Sequence, residues 1–173
     1  MTKPITSAAL MTLYEEGRFQ LGDPVHLYLG DSWKKENMTV CVSGHPKAGD
    51  AHEDIVVEPC KKSITIVDVL THTSGLSYGF DPIGNPVDAL YSNALDSEGT
   101  SLLNWAEQLA GLPLFFQPQS AWHYGYNTDI CGALVEAISG MKFAEYLLRR
   151  TLNKCATETV RYISILVMDP NAH

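Results

Sequence analysis

Long hydrophobic runs, basic residues and paired cysteines are all scarce in this sequence of 173 residues. Its longest uninterrupted apolar runs have four residues, for example Ile165 to Met168, whereas a transmembrane helix needs ~18. Twelve Lys and Arg against 20 Asp and Glu give a formal charge of -8, which argues against binding to nucleic acid phosphates. No apolar signal-peptide core follows Met1. We therefore expect neither a membrane nor a nucleic acid as a partner.

The cysteines form no recognisable disulfide or zinc pattern. They are widely spaced, with no Cys-x-x-Cys pair: Cys41, Cys60, Cys131 and Cys155. Reduced thiols in the cytoplasm explain this spacing better than a disulfide framework does. His45 and His52 lie between the first two cysteines, but the intervals match no zinc template. We expect these histidines to lie on the surface, and we expect no metal site.

Several common catalytic motifs are also absent. The sequence contains no Gly-x-Ser-x-Gly, no Gly-rich phosphate loop and no His-Glu-x-x-His. These motifs are typical of α/β-hydrolases, nucleotide-binding proteins and zinc proteases respectively. No metal or organic cofactor is therefore indicated.

Helical periodicity dominates the patterned parts of the sequence. Ile5, Ala9 and Leu13 recur at four-residue steps before Gly17, which predicts a first helix that ends near that glycine. Residues 30–63 lack such periodicity and could form an extended arm or hairpin. A short helix is predicted after a Thr65–Asp68 capping box, and two more over 86–95 and 100–110. Another helix runs to Gly140 with Asn127 or Thr128 as its cap, and a last one contains Phe143. Short strands are predicted over 40–42 and 55–57.

Three segments together carry the functional signal. They occur in the order Met1 to Met11, Leu70-Thr-His-Thr-Ser-Gly-Leu76, and Trp122-His-Tyr-Gly-Tyr-Asn-Thr-Asp to Gly140. In that order they resemble the serine β-lactamase-related family, which comprises class C β-lactamases, DD-peptidases and esterases of the same fold. The third segment is most similar to the esterase-type branch, whose Tyr-Ser-x-x-x-Asp-x-Leu-Gly pattern places its Asp at Asp129 and its last Gly at Gly132. The resemblance extends from Lys3 to about Leu152.

The resemblance implies that Lys3 is the lysine of the family's Ser-x-x-Lys motif. Residues three apart lie on one helical face, so the lysine side chain can reach the serine hydroxyl one turn away. The position three residues before Lys3 falls ahead of Met1. We therefore expect that translation or the gene model starts inside the motif, and that the chain as given lacks its serine.

The resemblance also implies that Tyr124 is the tyrosine of the second motif, which moves protons to and from the serine and the leaving group. An ordinary tyrosine has a pKa of about 10, so a neighbouring lysine cation is needed to make it a useful base. Many relatives have Tyr-x-Asn there, and the Asn helps to hold substrate. Here Tyr126 occupies that position and Asn127 follows it, which favours simple esters over β-lactams. Lys3 and Tyr124 are thus the predicted catalytic residues, and Tyr126 and Asn127 the predicted substrate-binding residues.

Other interpretations of the same residues stay open. Tyr124 could be a half-buried member of an aromatic cluster, and Lys3 a solvated lysine at a helix start. Ser74, after His72, or Thr2 with a free amine could replace the nucleophile. Gln119 stands where relatives carry the glycine of Pro-Gly-Ser, which could strain a turn.

The resemblance implies an α+β fold of the β-lactamase/transpeptidase type, and this chain would supply mainly the helical subdomain with little of the antiparallel sheet. We expect residues 1–152 to be a partial domain without the N-terminal strands, the motif serine or the C-terminal strands, and residues 153–173 to be a divergent tail containing an apolar segment, Thr159 to Met168. The family's third motif, Lys-Thr-Gly or His-x-Gly, belongs far downstream of Tyr124, and neither pattern is found there.

These expectations give a fragment of a serine hydrolase that acts on a small ester or amide through an acyl-enzyme, inactive as given. The alternative is a binding or interaction module without catalysis. The expected setting is cytoplasmic, with self-association through exposed apolar faces.

Overall fold

Two helices with long apolar stripes form the centre of the structure. The computed structural model describes residues 2–42, 55–94 and 100–152. In it, α1 (Lys3–Glu15) packs against α6 (Asn127–Ser139). Leu10, Leu13 and Leu134 are at most 1% exposed, and burying each of these side chains contributes roughly 2 kcal/mol to folding. Lys3 therefore lies at the start of a firmly packed helix.

The remaining helices surround this pair. Four of them begin close to where the sequence predicts them: α3 Ile66–Leu70, α4 Pro86–Ala94, α5 Leu102–Ala110 and α7 Phe143–Tyr146, which continues as a wider π-helical turn over Leu147–Leu152. The short helix α2 (His26–Leu29) was not predicted from the sequence. Single 3-10 turns occupy Asp31–Trp33 and Lys35–Asn37.

A small antiparallel sheet lies beside the helices. Strand β1 (Thr39–Cys41) pairs with β2 (Val57–Pro59), with Val40 opposite Glu58. The backbone of Leu114 extends the ladder, because its N–H donates to the Thr39 carbonyl at 2.9 Å and its carbonyl accepts from Cys41 N–H at 2.8 Å. The predicted hairpin is therefore confirmed, with its second strand two residues later than expected.

Helix ends follow the sequence signals at all but one position. The Thr65–Asp68 capping box is present at the start of α3, and Gly140 takes the left-handed conformation that ends α6. The prediction that Asn127 or Thr128 caps α6 is wrong, because the cap position is Tyr126 and no side chain caps the helix. Asn127 lies in the first turn, where its amide bonds to other groups.

The predicted architecture, helical with little sheet, is confirmed for the described part of the chain. Three features of the sequence analysis lie outside it: the histidines at 45 and 52, Cys155, and the apolar segment of the 153–173 tail. The domain boundary at 152 stays a prediction. None of the helices within 2–42, 55–94 and 100–152 has the length and apolarity to cross a membrane.

Candidate active site

Lys3 and Tyr124, which are 121 positions apart in the sequence, meet in the structure. The Nζ atom of Lys3 is 4.9 Å from the centre of the Tyr124 ring and 6.0 Å from that of Tyr78. The pKa of Lys3 is raised, and a hydrogen bond with Tyr124 is the largest cause. Burial, the next largest, acts in the opposite direction, and electrostatic interactions with Tyr124, Tyr78 and Asp129 raise the pKa further. The ammonium form of Lys3 is therefore favoured beside the phenol.

Backbone contacts fix the position of Tyr124. Its segment runs alongside residues 72–78: His123 N–H donates to the His72 carbonyl at 3.0 Å, and Tyr126 N–H donates to the Ser77 carbonyl at 3.0 Å. Gly125 allows this close approach, since a Cβ there would collide with the Leu76 carbonyl oxygen. The loop after α3 thus holds the loop before α6 in register.

Aromatic rings surround the phenol of Tyr124. His72 stacks on it with ring centres 5.1 Å apart and an interplanar angle of 10°. Phe80 and Tyr78 lie against it at 5.7 and 5.6 Å. The alternative that Tyr124 belongs to an aromatic cluster is therefore compatible with its place beside Lys3, since the structure has both features.

Tyr126 packs among other aromatic rings. Its ring stacks on Tyr78 at 4.4 Å and meets the edge of Trp105 at 5.2 Å. Burial raises the pKa of its hydroxyl. Its predicted role in substrate binding stays a prediction.

Asn127 is fully buried. Its Oδ1 accepts a hydrogen bond from the Ser74 hydroxyl at 2.5 Å, and its Nδ2 lies 3.1 Å from Nδ1 of His72. The amide therefore joins α6 to the loop after α3. The predicted substrate-binding role of Asn127 also stays a prediction.

Ser74 is a poor alternative nucleophile. Its side chain has no exposed surface, and its hydroxyl donates to Asn127 instead of to the neighbouring imidazole. An attacking serine needs both access to a substrate and a base that takes its proton. Ser74 has a structural part in the site.

Sequence reasoning missed His72 and Tyr78 as members of this site. The Thr-His-Thr-Ser-Gly turn was recognised, but its histidine has a positive φ of 59°, which turns the imidazole towards Tyr124. No motif in the sequence predicts this backbone conformation at His72. For metals, no three His, Cys, Asp or Glu side chains come together among the residues described.

The chain is similar in sequence to a known protein family and to several longer proteins. The β-lactamase family profile matches residues 1–160. Protein Rv1367c of Mycobacterium tuberculosis is 34% identical over 165 residues, which cover 95% of this chain and 38% of that protein. Esterase EstB of Burkholderia gladioli is 32% identical over 146 residues, which cover 83% of this chain and 32% of EstB.

A solved structure shares the fold. Unliganded simvastatin synthase (LovD) from Aspergillus terreus superposes with a TM-score of 0.64 at 29% identity, over 88% of this chain and 35% of LovD. The predicted fold of the β-lactamase/transpeptidase type is confirmed by such neighbours. The chain spans about a third of the length of these proteins. With the family profile matched over most of its residues, the chain belongs to the β-lactamase family.

Proposed function

We propose that Lys3 and Tyr124 form the proton-relay pair of a serine esterase or acyltransferase site whose substrate is a small ester or amide. The observation that carries the proposal is the placement of the Lys3 ammonium 4.9 Å from the Tyr124 ring, with a hydrogen bond that raises the pKa of Lys3. The similarity to EstB and LovD supports ester and acyl-transfer chemistry.

In the proposed reaction, Tyr124 accepts the proton of a serine hydroxyl as the serine oxygen attacks the substrate carbonyl. Tyr124 enters this step as a phenolate, which the neighbouring Lys3 ammonium stabilises, and leaves it as a neutral phenol. Tyr124 then gives the proton to the departing alcohol or amine, which leaves an acyl-enzyme. Water releases the acid, or an acceptor alcohol takes the acyl group.

We further propose that acylation of this site needs a serine three positions before Lys3, where the family's Ser-x-x-Lys motif carries it. Removing such a nucleophile costs many orders of magnitude in rate. A polypeptide limited to residues 1–173 should therefore show no labelling by a fluorophosphonate probe and no burst with p-nitrophenyl acetate. A stoichiometric label on Ser74 or Thr2 would overturn this part of the proposal.

The relay itself can be tested by supplying the serine. An extended chain that reads Ser-Met-Thr-Lys at the motif places a hydroxyl three residues before Lys3. A fluorophosphonate should label that serine, and Tyr124→Phe or Lys3→Met should slow the labelling by about 100-fold, the usual size of a general-base contribution. Equal labelling rates in all three proteins would contradict the relay. Tyr14→Phe is the control, because Tyr14 lies against Phe19, away from the site.

Ligand binding without turnover is a second candidate, favoured by exposed aromatic surface near the site. Phe80 and Trp122 are each 65% exposed, although Phe80 stacks on Tyr124 and Trp122 lies 6.1 Å from His72. An apolar ester should quench the fluorescence of Trp122, and Trp122→Phe should remove that signal. Quenching by an aromatic ester without any labelling of the extended chain would favour this candidate.

A further inference from the structure

Three side chains form a buried hydrogen-bonded series that ends at the face of Tyr124. The Ser74 hydroxyl donates to Asn127 Oδ1 at 2.5 Å, and the other end of that amide meets Nδ1 of His72 at 3.1 Å. The imidazole then stacks on the phenol at 5.1 Å. Ser74 and Asn127 are both fully buried, so water cannot replace a missing partner in this series.

The hydrogen of Ser74 decides the orientation of the amide. Ser74 Oγ accepts from Leu76 N–H at 3.2 Å, and the proton of its own hydroxyl needs an acceptor in a site with no water. Asn127 Oδ1 is that acceptor. The opposite orientation of the amide would point an N–H at the serine and leave its hydroxyl proton without a partner. Asn127 Nδ2 therefore faces His72.

This orientation determines where His72 carries its proton. Because Asn127 Nδ2 can only donate, Nδ1 of His72 must be the acceptor and holds no hydrogen. The remaining proton lies on Nε2. A second proton, on Nδ1, would place two hydrogen-bond donors, His72 Nδ1–H and Asn127 Nδ2–H, opposite each other with no acceptor between them.

We infer that His72 is a positioning residue for Tyr124: the Ser74–Asn127 pair holds its imidazole as the neutral Nε2–H tautomer, flat against the phenol that faces Lys3. The backbone at His72 has φ of 59°, a left-handed conformation that is strained for a residue other than glycine. The stacking and the hydrogen bond to Asn127 offset that strain. The inference rests on the proposed relay, because it concerns how the tyrosine of that relay is held.

The charges around His72 agree with a neutral ring. Burial is the main cause that lowers its pKa, and the positive charges of Lys3 on α1 and His123 on the neighbouring loop lower it further. Its other neighbours are the aromatic rings of Tyr124 and Trp122 and the amide of Asn127. Because the imidazole is neutral, no cation at position 72 competes with the Lys3 ammonium for the phenol of Tyr124.

The tautomer can be read directly from the nitrogen chemical shifts of ¹⁵N-histidine in the intact chain at about pH 8, where a neutral ring dominates. The His72 signals, assigned by their loss in His72→Asn, should show a protonated Nε2 and a bare Nδ1. Ser74→Ala removes the group that orients the amide and should give a mixture of tautomers. Ser77→Ala is the matched control, since Ser77 is equally buried in the same segment but bonds to Asp88. A protonated Nδ1 in the unaltered chain, or no change in Ser74→Ala, would overturn the inference.

The positioning role needs a second readout, the pKa of Lys3 measured from its ε-carbon. His72→Phe keeps a flat ring on Tyr124, so the raised pKa of Lys3 should persist. His72→Asn tolerates the positive φ but loses the stack, so the pKa of Lys3 should fall towards the ordinary lysine value. Equal values in the two variants would show that the stack does not position Tyr124. Failure of the relay proposal looks different: the pKa of Lys3 would then be ordinary in the unaltered chain, whatever the tautomer of His72.

Discussion

At the scale of single residues, Gly125 sets how closely the tyrosine loop approaches the loop after α3. The backbone oxygens of Leu76 and Ser77 occupy the space that a Cβ at Gly125 would need. Because these are backbone atoms, they cannot rotate away as the end of a side chain could. The glycine beside Tyr124 is therefore required by packing.

We predict that Gly125→Ala lowers the free energy of unfolding by about 3 kcal/mol, the upper range for an overpacked site, and displaces Tyr124 from Lys3. Urea denaturation measures the loss. Gly22→Ala is the control, since a Cβ there has open space, and it should change stability by less than about 1 kcal/mol. Similar losses in both variants would contradict this account.

Gln119 has a positive φ of 71°, as its place in the Pro-Gly-Ser pattern suggested. Its side chain offsets the strain, because Nε2 donates to Asp68 Oδ2 at 3.0 Å. We predict that Gln119→Ala, which keeps the strain and loses the bond, unfolds more easily than Gln119→Gly by about 1 kcal/mol. Thermal or urea unfolding of the alanine and glycine variants measures this difference in stability. An alanine variant as stable as the glycine variant would show that the backbone relaxes.

The sequence predicted which residues lie together where both members of a pair belong to motifs of the family. The resemblance led to Lys3 and Tyr124, and the structure brings them together, although their catalytic roles are still to be tested. It did not lead to His72, because a left-handed histidine has no sequence signature of the kind that glycine or asparagine provides. Asn127 was predicted to cap a helix because of its residue type, but its buried amide contacts Ser74 and His72 instead.

At the scale of elements, the start of α3 depends on one carboxylate. Asp68 accepts from the backbone N–H and hydroxyl of Thr65, from the Thr73 hydroxyl and from Gln119. It is 3% exposed. The capping box predicted from the sequence is thus also the point that ties α3 to the turns on either side of the site.

We predict that Asp68→Ala lowers the free energy of unfolding by about 3 kcal/mol, because several part-buried donors lose the same buried carboxylate at once. Thr65→Ala, which removes only the cap, should cost about 1 kcal/mol. Ser101→Ala at the cap of α5 is a control of the same kind and should also cost about 1 kcal/mol. Equal losses for Asp68 and Ser101 would mean that Asp68 acts as a cap alone.

At the scale of the whole molecule, alkaline pH should weaken the fold. Burial and a hydrogen bond to Asp23 raise the pKa of Tyr28 to about 12, and burial raises that of the Cys131 thiol to about 12. Both folded-state values exceed those of the unfolded chain, so the stability they contribute is complete below about pH 8 and is lost as pH rises towards 12. Urea midpoints between pH 8 and 11 should fall steadily.

A variant separates this effect from general alkaline damage. Cys131→Ala removes one of the raised groups, so its stability should fall less steeply with pH than that of the unaltered chain. A second variant, Tyr28→Phe, should flatten the curve in the same direction. Parallel curves for all three proteins would contradict the assignment.

The sequence predicted the architecture at this scale because helix periodicity, caps and glycine stops are local signals. It placed β2 two residues early, since pairing with β1 is decided by hydrogen bonds that link Val42 to Val56 and Cys60 to Met38 across a hairpin. This pairing joins residues that are far apart in the sequence, so the pattern of one segment alone does not predict its register.

The central claim is that the Lys3 ammonium and the Tyr124 phenol act as one coupled pair, and titration of Lys3 tests it most directly. The ε-carbon of ¹³C-lysine should report a pKa for Lys3 above the ordinary lysine value, which falls in Tyr124→Phe and stays raised in Tyr14→Phe. A Lys3 pKa that is the same in the unaltered chain and in Tyr124→Phe would contradict the account.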